Sequence, residues 1–228
     1  MNSKLILFLI LGMLSISFAA SYLLVMDASG SMDLTTPPNY QETRMDAAKV
    51  AAKNFIDGST GEIAIMVFDD CDGSGDPNTG SIRVVQGYTT NKASLKSTVD
   101  TLSPYGDTAI ADALNEAKTY IESTRGQGTI VLITDGEETC GGDPVAMAGQ
   151  IYSQGTGKVH VIGYLVSGDA ANMAKDIASA GGGNYYDVGS STELEAALQD
   201  IEDEEGISCC PGIGVILLVC LAGFLKFN

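Results

Sequence analysis

Residues 22–31 read Tyr22-Leu23-Leu24-Val25-Met26-Asp27-Ala28-Ser29-Gly30-Ser31. Five apolar residues in succession, without the alternation of a half-buried strand, describe a short strand covered on both faces. The run stops at Asp27. From there one carboxylate and two hydroxyls fall on alternate residues, Asp27, Ser29 and Ser31, so all three can turn toward one point while Gly30 relieves the backbone. A strand covered on both faces implies a sheet between two layers of helices. In such sheets ligands bind beyond the carboxyl ends of the strands, where the strand order reverses.

Outward from this segment, strand-like and helical patterns alternate. Met45, Ala48, Ala52, Phe55 and Ile56 recur at helical spacing; Glu62–Phe68 is a second apolar run and 81–86 a third. The connection between these two runs is too short for a helical crossover, which makes the pair antiparallel. Residues 91–102 and 107–124 read as helices, the second with Ile110, Leu114, Ala117 and Ile121 on one face. The β-branched run Thr129–Thr134 stops at Asp135-Gly136, and helix 144–152, strand 159–166, helix 170–180, strand 185–188 and helix 192–201 complete the alternation. The expected fold is α/β: a doubly wound, mostly parallel central sheet of about six strands, with one antiparallel edge strand and helices on both faces.

Two further segments end where such a sheet gathers ligands. Asp135 closes its strand, and Thr108 opens a helix after the turn Pro104-Tyr105-Gly106. With the first segment they form a set made only of oxygen: the carboxylates of Asp27 and Asp135 and the hydroxyls of Ser29, Ser31 and Thr108. Such a set suits a hard cation of near-octahedral geometry, Mg²⁺ or Mn²⁺, better than zinc.

Asp27-Ala28-Ser29-Gly30-Ser31 after an apolar strand, Gly106-Asp107-Thr108-Ala109-Ile110 at a helix start, and Leu132-Ile133-Thr134-Asp135-Gly136 at the end of a later strand share an order with a known site. They resemble the three segments of the metal-ion-dependent adhesion site of von Willebrand factor A domains, and the resemblance spans roughly residues 22–203. It implies that Ser29, Ser31 and Thr108 coordinate the ion directly and that Asp27 and Asp135 act directly or through water. It also implies an open ligand position, filled by an acidic side chain of a partner protein. Asp107 departs from the pattern, where such domains often carry glycine; it reads as a helix N-terminal acid facing the dipole.

All 29 acidic residues lie between Asp27 and Glu205, against ten basic ones in that span, since Lys4 and Lys226 sit in the hydrophobic ends. So acidic a surface repels phosphate backbones, and nucleic-acid binding is excluded on that ground. Residues 1–19 read as a signal peptide, with Lys4 before an apolar run and Ser17-Phe18-Ala19 as a cleavage site. Residues 20–205 form the expected domain. The segment 206–228 holds an apolar run that can span a membrane, preceded by acids and followed by Lys226, which places the domain outside the cytoplasm. The same tail resembles the C-terminal sorting signals of archaeal surface proteins, in which case it would be cut and replaced by an anchor.

Cys71 and Cys140 each follow a strand on the edge that carries Asp27, so in an exported chain a disulfide between them is expected, two free thiols being the alternative. Cys209 and Cys210 adjoin the apolar tail, and Cys220 lies within it. The loop holding Asp70, Asp72 and Asp76 spaces oxygen groups as calcium loops do, but Ser81 stands where a bidentate Glu belongs. A second ion there, Ca²⁺, is the lesser reading beside a solvated acidic loop. His160, the only histidine, falls mid-strand and reads as a packed or surface residue; the acids 202–205 read as a solvated spacer.

Hydrolase chemistry is the rival class. A nucleophilic Ser29 would need a base, and His160 is misplaced for it; an aspartyl phosphatase would want an Asp where Ser29 stands. The expected role is therefore not enzymatic: an extracytoplasmic, membrane-anchored domain that binds a cation and, through it, a partner protein. A structural surface domain with a vestigial site is the other alternative.

Overall fold

In the computed structural model, which describes residues 20–36, 41–71 and 81–206, strand β1 (Ser21–Asp27) is buried along its length except at Ser21. Residues 1–19, read above as a signal peptide, Asp72, Asp76, the tail from 207 onward and Cys209, Cys210 and Cys220 lie outside the described residues. Two parallel neighbours flank β1: β2 (Glu62–Phe68) and β4 (Thr129–Thr134), with Tyr22 level with both Ile63 and Thr129. β3 (Ile82–Thr89) pairs antiparallel on the outer side of β2; β5 (Val159–Tyr164) and β6 (Gly182–Val188) extend the sheet in parallel beyond β4. The order β3-β2-β1-β4-β5-β6 reverses direction at β1 and β4, the two strands that end in Asp27 and just before Asp135.

Successive residues of β1 feed two cores. Leu24 and Met26 point to a layer formed by α1 (Arg44–Gly58), α2 (Lys92–Asp100) and α6 (Ser191–Gly206). Leu23 and Val25 point to α3 (Ile110–Thr124), α4 (Pro144–Ser153) and α5 (Gly168–Ala180). Four alanines of α1, Ala47, Ala48, Ala51 and Ala52, are fully buried, so small side chains bring that helix close to the sheet. Thr43 and Asp46 start it with a reciprocal capping box, the Thr43 hydroxyl accepting from Asp46 N at 3.0 Å and the Asp46 carboxylate from Thr43 N at 3.2 Å.

The doubly wound sheet with one antiparallel edge is as expected; several boundaries are not. β3 runs on to Thr89 because Tyr88 stacks on Tyr120 at 5.5 Å, with Arg125 over its ring. β5 stops at Tyr164 because Leu165 takes a left-handed backbone, φ 58°. α3 begins at Ile110, so Thr108 precedes the helix rather than opening it, and Asp107 stands outside its first turn. The acids 202–205 are not a solvated spacer: they are the last turns of α6. Glu205 receives Lys158 Nζ at 2.7 Å and Thr129 Oγ1 at 3.2 Å, and lies 3.3 Å from His160 Nε2. Acids at a helix C-terminus oppose the dipole, and these cationic and hydroxyl partners on the sheet edge offset that cost.

His160 is fully buried, its Nδ1 accepting from Asn184 N at 3.1 Å, which leaves Nε2 to donate to Glu205. Ala20 and Glu205 both sit at the sheet edge opposite Asp27: Ala20 O accepts from Glu62 N at 3.0 Å, and Glu205 bonds the start of β4. The described chain thus enters and leaves the domain on one edge. Among the described residues no helix is long and apolar enough to cross a membrane.

Candidate metal centre

Beyond Asp27 the chain continues the sheet by one bond, Ala28 N to Phe68 O at 2.9 Å, then folds back so that Ser29 N donates to Asp27 Oδ1 at 2.8 Å. A single 3₁₀ turn, Gly30–Asp33, follows, anchored by the fully buried Met32. The loop before α3 is zipped to this turn: Tyr105 N donates to Ala28 O at 2.7 Å and Gly30 N to Gly106 O at 3.0 Å. Gly106 also lets this loop pass close to the end of β2. Its φ is 62°, and a Cβ there would collide with the Asp69 carbonyl oxygen.

Thr108 is held from the other side, by the loop after β4. Its N–H donates to Thr139 Oγ1 at 2.8 Å, and its carbonyl accepts from Thr139 N at 2.9 Å. Glu138 fastens the same loop to α3, accepting from Ala111 N and Cys140 N at 2.8 and 2.7 Å. Nothing in the sequence singles out Thr139 or Glu138, since the segment they hold lies about thirty positions away.

The five expected residues meet here, joined by Thr134. Ser29 Oγ and Ser31 Oγ are 3.1 Å apart, and Ser31 Oγ donates to Asp135 Oδ1 at 2.6 Å. A Cβ built on Gly136 would lie 3.8 Å from Thr108 Oγ1 and 3.9 Å from Ser31 Oγ, so both hydroxyls face the space that glycine leaves open. Thr134 Oγ1 donates to Asp27 Oδ2 at 2.6 Å. Arg44 Nη1 donates to Asp135 Oδ2 at 2.6 Å. By sequence alone Thr134 reads only as a strand residue, and no local signal marks Arg44.

The electrostatics are those of a site short of positive charge. Asp27 is wholly buried and so is the Asp135 side chain, yet among the described residues Arg44 alone forms an ion pair with either. Burial pushes the Asp27 carboxyl up to about 6, the nearby Asp135 charge adds to the rise, and the bonds from Ser29 and Thr134 oppose it. Adjacent ligands of an octahedral Mg²⁺ stand about 3.0 Å apart, from metal–oxygen lengths near 2.1 Å. The Ser29–Ser31 separation of 3.1 Å matches that edge. The residues present fit a small divalent cation.

On the rim, Cys71 and Cys140 form a disulfide that ties the loop after β2 to the loop after β4. The Asp70 and Asp107 carboxylates lie within 4.8 Å of each other and of the Cys71 sulfur, which the disulfide occupies. Leu34 and Tyr105 are exposed beside the turn.

A doubly wound sheet with these three segments at its switch point defines a von Willebrand factor A type domain, and the sequence pattern of that domain matches residues 22–138. The chain belongs to the von Willebrand factor type A domain family. It is 31% identical over 189 residues to YwmC of Bacillus subtilis (strain 168), covering 77% of this chain and 80% of YwmC. An aerotolerance-related membrane protein of Bacteroides fragilis NCTC 9343 shares the fold with a TM-score of 0.65 at 25% identity, over 82% of this chain and 100% of that one. The pilus adhesin SpaC of Lactobacillus rhamnosus GG has the same fold, TM-score 0.65 at 16% identity, over 84% of this chain and 31% of SpaC.

Proposed function

We propose that this domain binds Mg²⁺ or Mn²⁺ at the centre described above and, through the ion, an acidic side chain of a partner protein. Ser29, Ser31 and Thr108 hold the ion directly, with Asp27 and Asp135 acting directly or through water. The observation that carries this reading is the pair of buried carboxylates facing three hydroxyls, with Arg44, bonded to Asp135, as their one ionic partner among the described residues. A bound ion supplies the missing positive charge and an open position for a carboxylate.

The role is binding rather than catalysis. His160, the one histidine, is buried on β5 and engaged by Glu205 and Asn184, near the edge where the chain leaves the domain and away from the hydroxyls. Relatives of this fold include a membrane protein and a pilus adhesin, which supports a surface-exposed, membrane-attached domain acting outside the cytoplasm. A disulfide on the rim fits an oxidising compartment.

Calorimetric titration of Mg²⁺, Mn²⁺ and Ca²⁺ into chelator-stripped protein tests the reading. Saturable binding of Mg²⁺ or Mn²⁺, lost in Asp27→Ala, supports it. A protein that binds no ion retains the fold without its chemistry, and the structural alternative takes over.

A further inference from the structure

Asp135 is the carboxylate of the centre that has a cationic partner. Its side chain is fully buried, one oxygen accepting from Ser31 Oγ and the other from Arg44 Nη1, each at 2.6 Å. Asp27, also buried, sits close enough for the two charges to repel. An unpaired carboxylate at that depth is strongly destabilising. Arg44 is placed to prevent this. It is the first residue of α1, directly after the Thr43 cap, and its own N–H donates to Leu34 O at 2.9 Å, so its backbone is fixed beside the 3₁₀ turn. The Arg44 side chain is one-fifth exposed while that of Asp135 is not, so Arg44 is the partner that can withdraw toward solvent.

We propose that Arg44 is a built-in counter-ion: it neutralises Asp135 when no metal is bound and sets the affinity of the centre by competing with the ion for that carboxylate. This rests on the reading of the centre as a divalent-cation site. Two effects act in one direction. A guanidinium hydrogen-bonded to a metal-site carboxylate repels an incoming dication, and the Arg44–Asp135 bond must be weakened or shared for the ion to use Asp135 fully. The domain therefore keeps its fold without metal at the expense of affinity, and it loads only where the ion is plentiful.

The test uses the full chain in mild detergent, comparing wild type, Arg44→Gln and Arg44→Lys by thermal melting in chelator and by Mg²⁺ titration calorimetry. Arg44→Gln is expected to melt roughly 5 °C lower in chelator and to bind Mg²⁺ roughly tenfold more tightly than wild type. Arg44→Lys, which keeps the charge, is expected to stay near wild type in both. Should Arg44→Gln fail to fold in chelator, its recovery by Mg²⁺ at concentrations too low to shift the wild-type melting point supports the proposal, and no recovery overturns it. Unchanged or weaker Mg²⁺ binding by a folded Arg44→Gln overturns the proposal and leaves the metal centre standing. Absence of Mg²⁺ binding in both wild type and Arg44→Gln overturns the centre as well.

Discussion

Thr139 and Thr108 clasp each other by their backbones and one hydroxyl: Thr108 N–H reaches Thr139 Oγ1, and Thr139 N–H returns to the Thr108 carbonyl. The second segment of the centre, which carries Thr108, is thus positioned by a residue outside the five-residue set. Thr139→Val removes one of these bonds and keeps the shape. Mg²⁺ binding should weaken about fivefold, the equivalent of one hydrogen bond of ~1 kcal/mol, while the melting temperature falls by no more than about 4 °C. Calorimetry beside a melt separates the two; a large loss of stability with unchanged affinity would make the clasp merely structural.

Reduction of Cys71–Cys140 opens the rim. The bridge closes a separation of 69 residues, for which chain entropy gives an upper figure of about 4 kcal/mol. Dithiothreitol, or the Cys71→Ser and Cys140→Ser pair, should lower the melting temperature by several degrees. It should also weaken Mg²⁺ binding, because Cys140 follows the Thr139 clasp and its N–H is bonded to Glu138. Equal affinity in oxidised and reduced protein would show that the clasp holds without the bridge.

Acid should loosen the opposite edge first. The hydrogen bond from His160, with the bond and charge of Lys158, holds the Glu205 carboxyl down to about 2, below its ordinary value in an unfolded chain. A carboxylate depressed on folding contributes stability that is complete above the unfolded value and is lost as pH falls from about 4.5 toward 2. Glu205→Gln should therefore cost about 1–3 kcal/mol at pH 7, a difference from wild type that shrinks on acidification through that window. Melting curves between pH 3 and 7 check this; a pH-independent difference would remove the electrostatic account.

Gly106→Ala is expected to be the most damaging single-methyl change on the site edge. It combines a left-handed backbone with a Cβ aimed at the Asp69 carbonyl, and should cost about 2–4 kcal/mol. Gly126→Ala shares the positive φ but meets nothing within 4 Å, so it should cost only about 1 kcal/mol. Chemical denaturation of the two variants separates collision from backbone strain.

Much of the fold is legible because β2 and β4 are unbroken apolar runs that end in turn residues, and the alternation of strand and helix leaves little choice of topology. Asp27, Ser29 and Ser31 are legible for a similar reason, being neighbours in sequence. What is not legible depends on distant partners. Arg44 meets Asp135 across 91 positions, and no local pattern marks that pair. Thr108 reads as a helix start because Asp107 is a plausible N-terminal acid, whereas the Thr139 clasp holds the segment outside the helix until Ile110. The final turns of α6 resemble solvated charge because their stabilising partners, Lys158 and His160, lie on or beside β5.

Ala20, where the described residues begin, and Glu205, in the last turn of α6, both lie on the edge opposite Asp27. A partner pulling on the hydroxyl-lined end, resisted at the other, would load β1 and β4 along their lengths. The bonds joining the central strands would then share the force in shear instead of breaking singly in sequence.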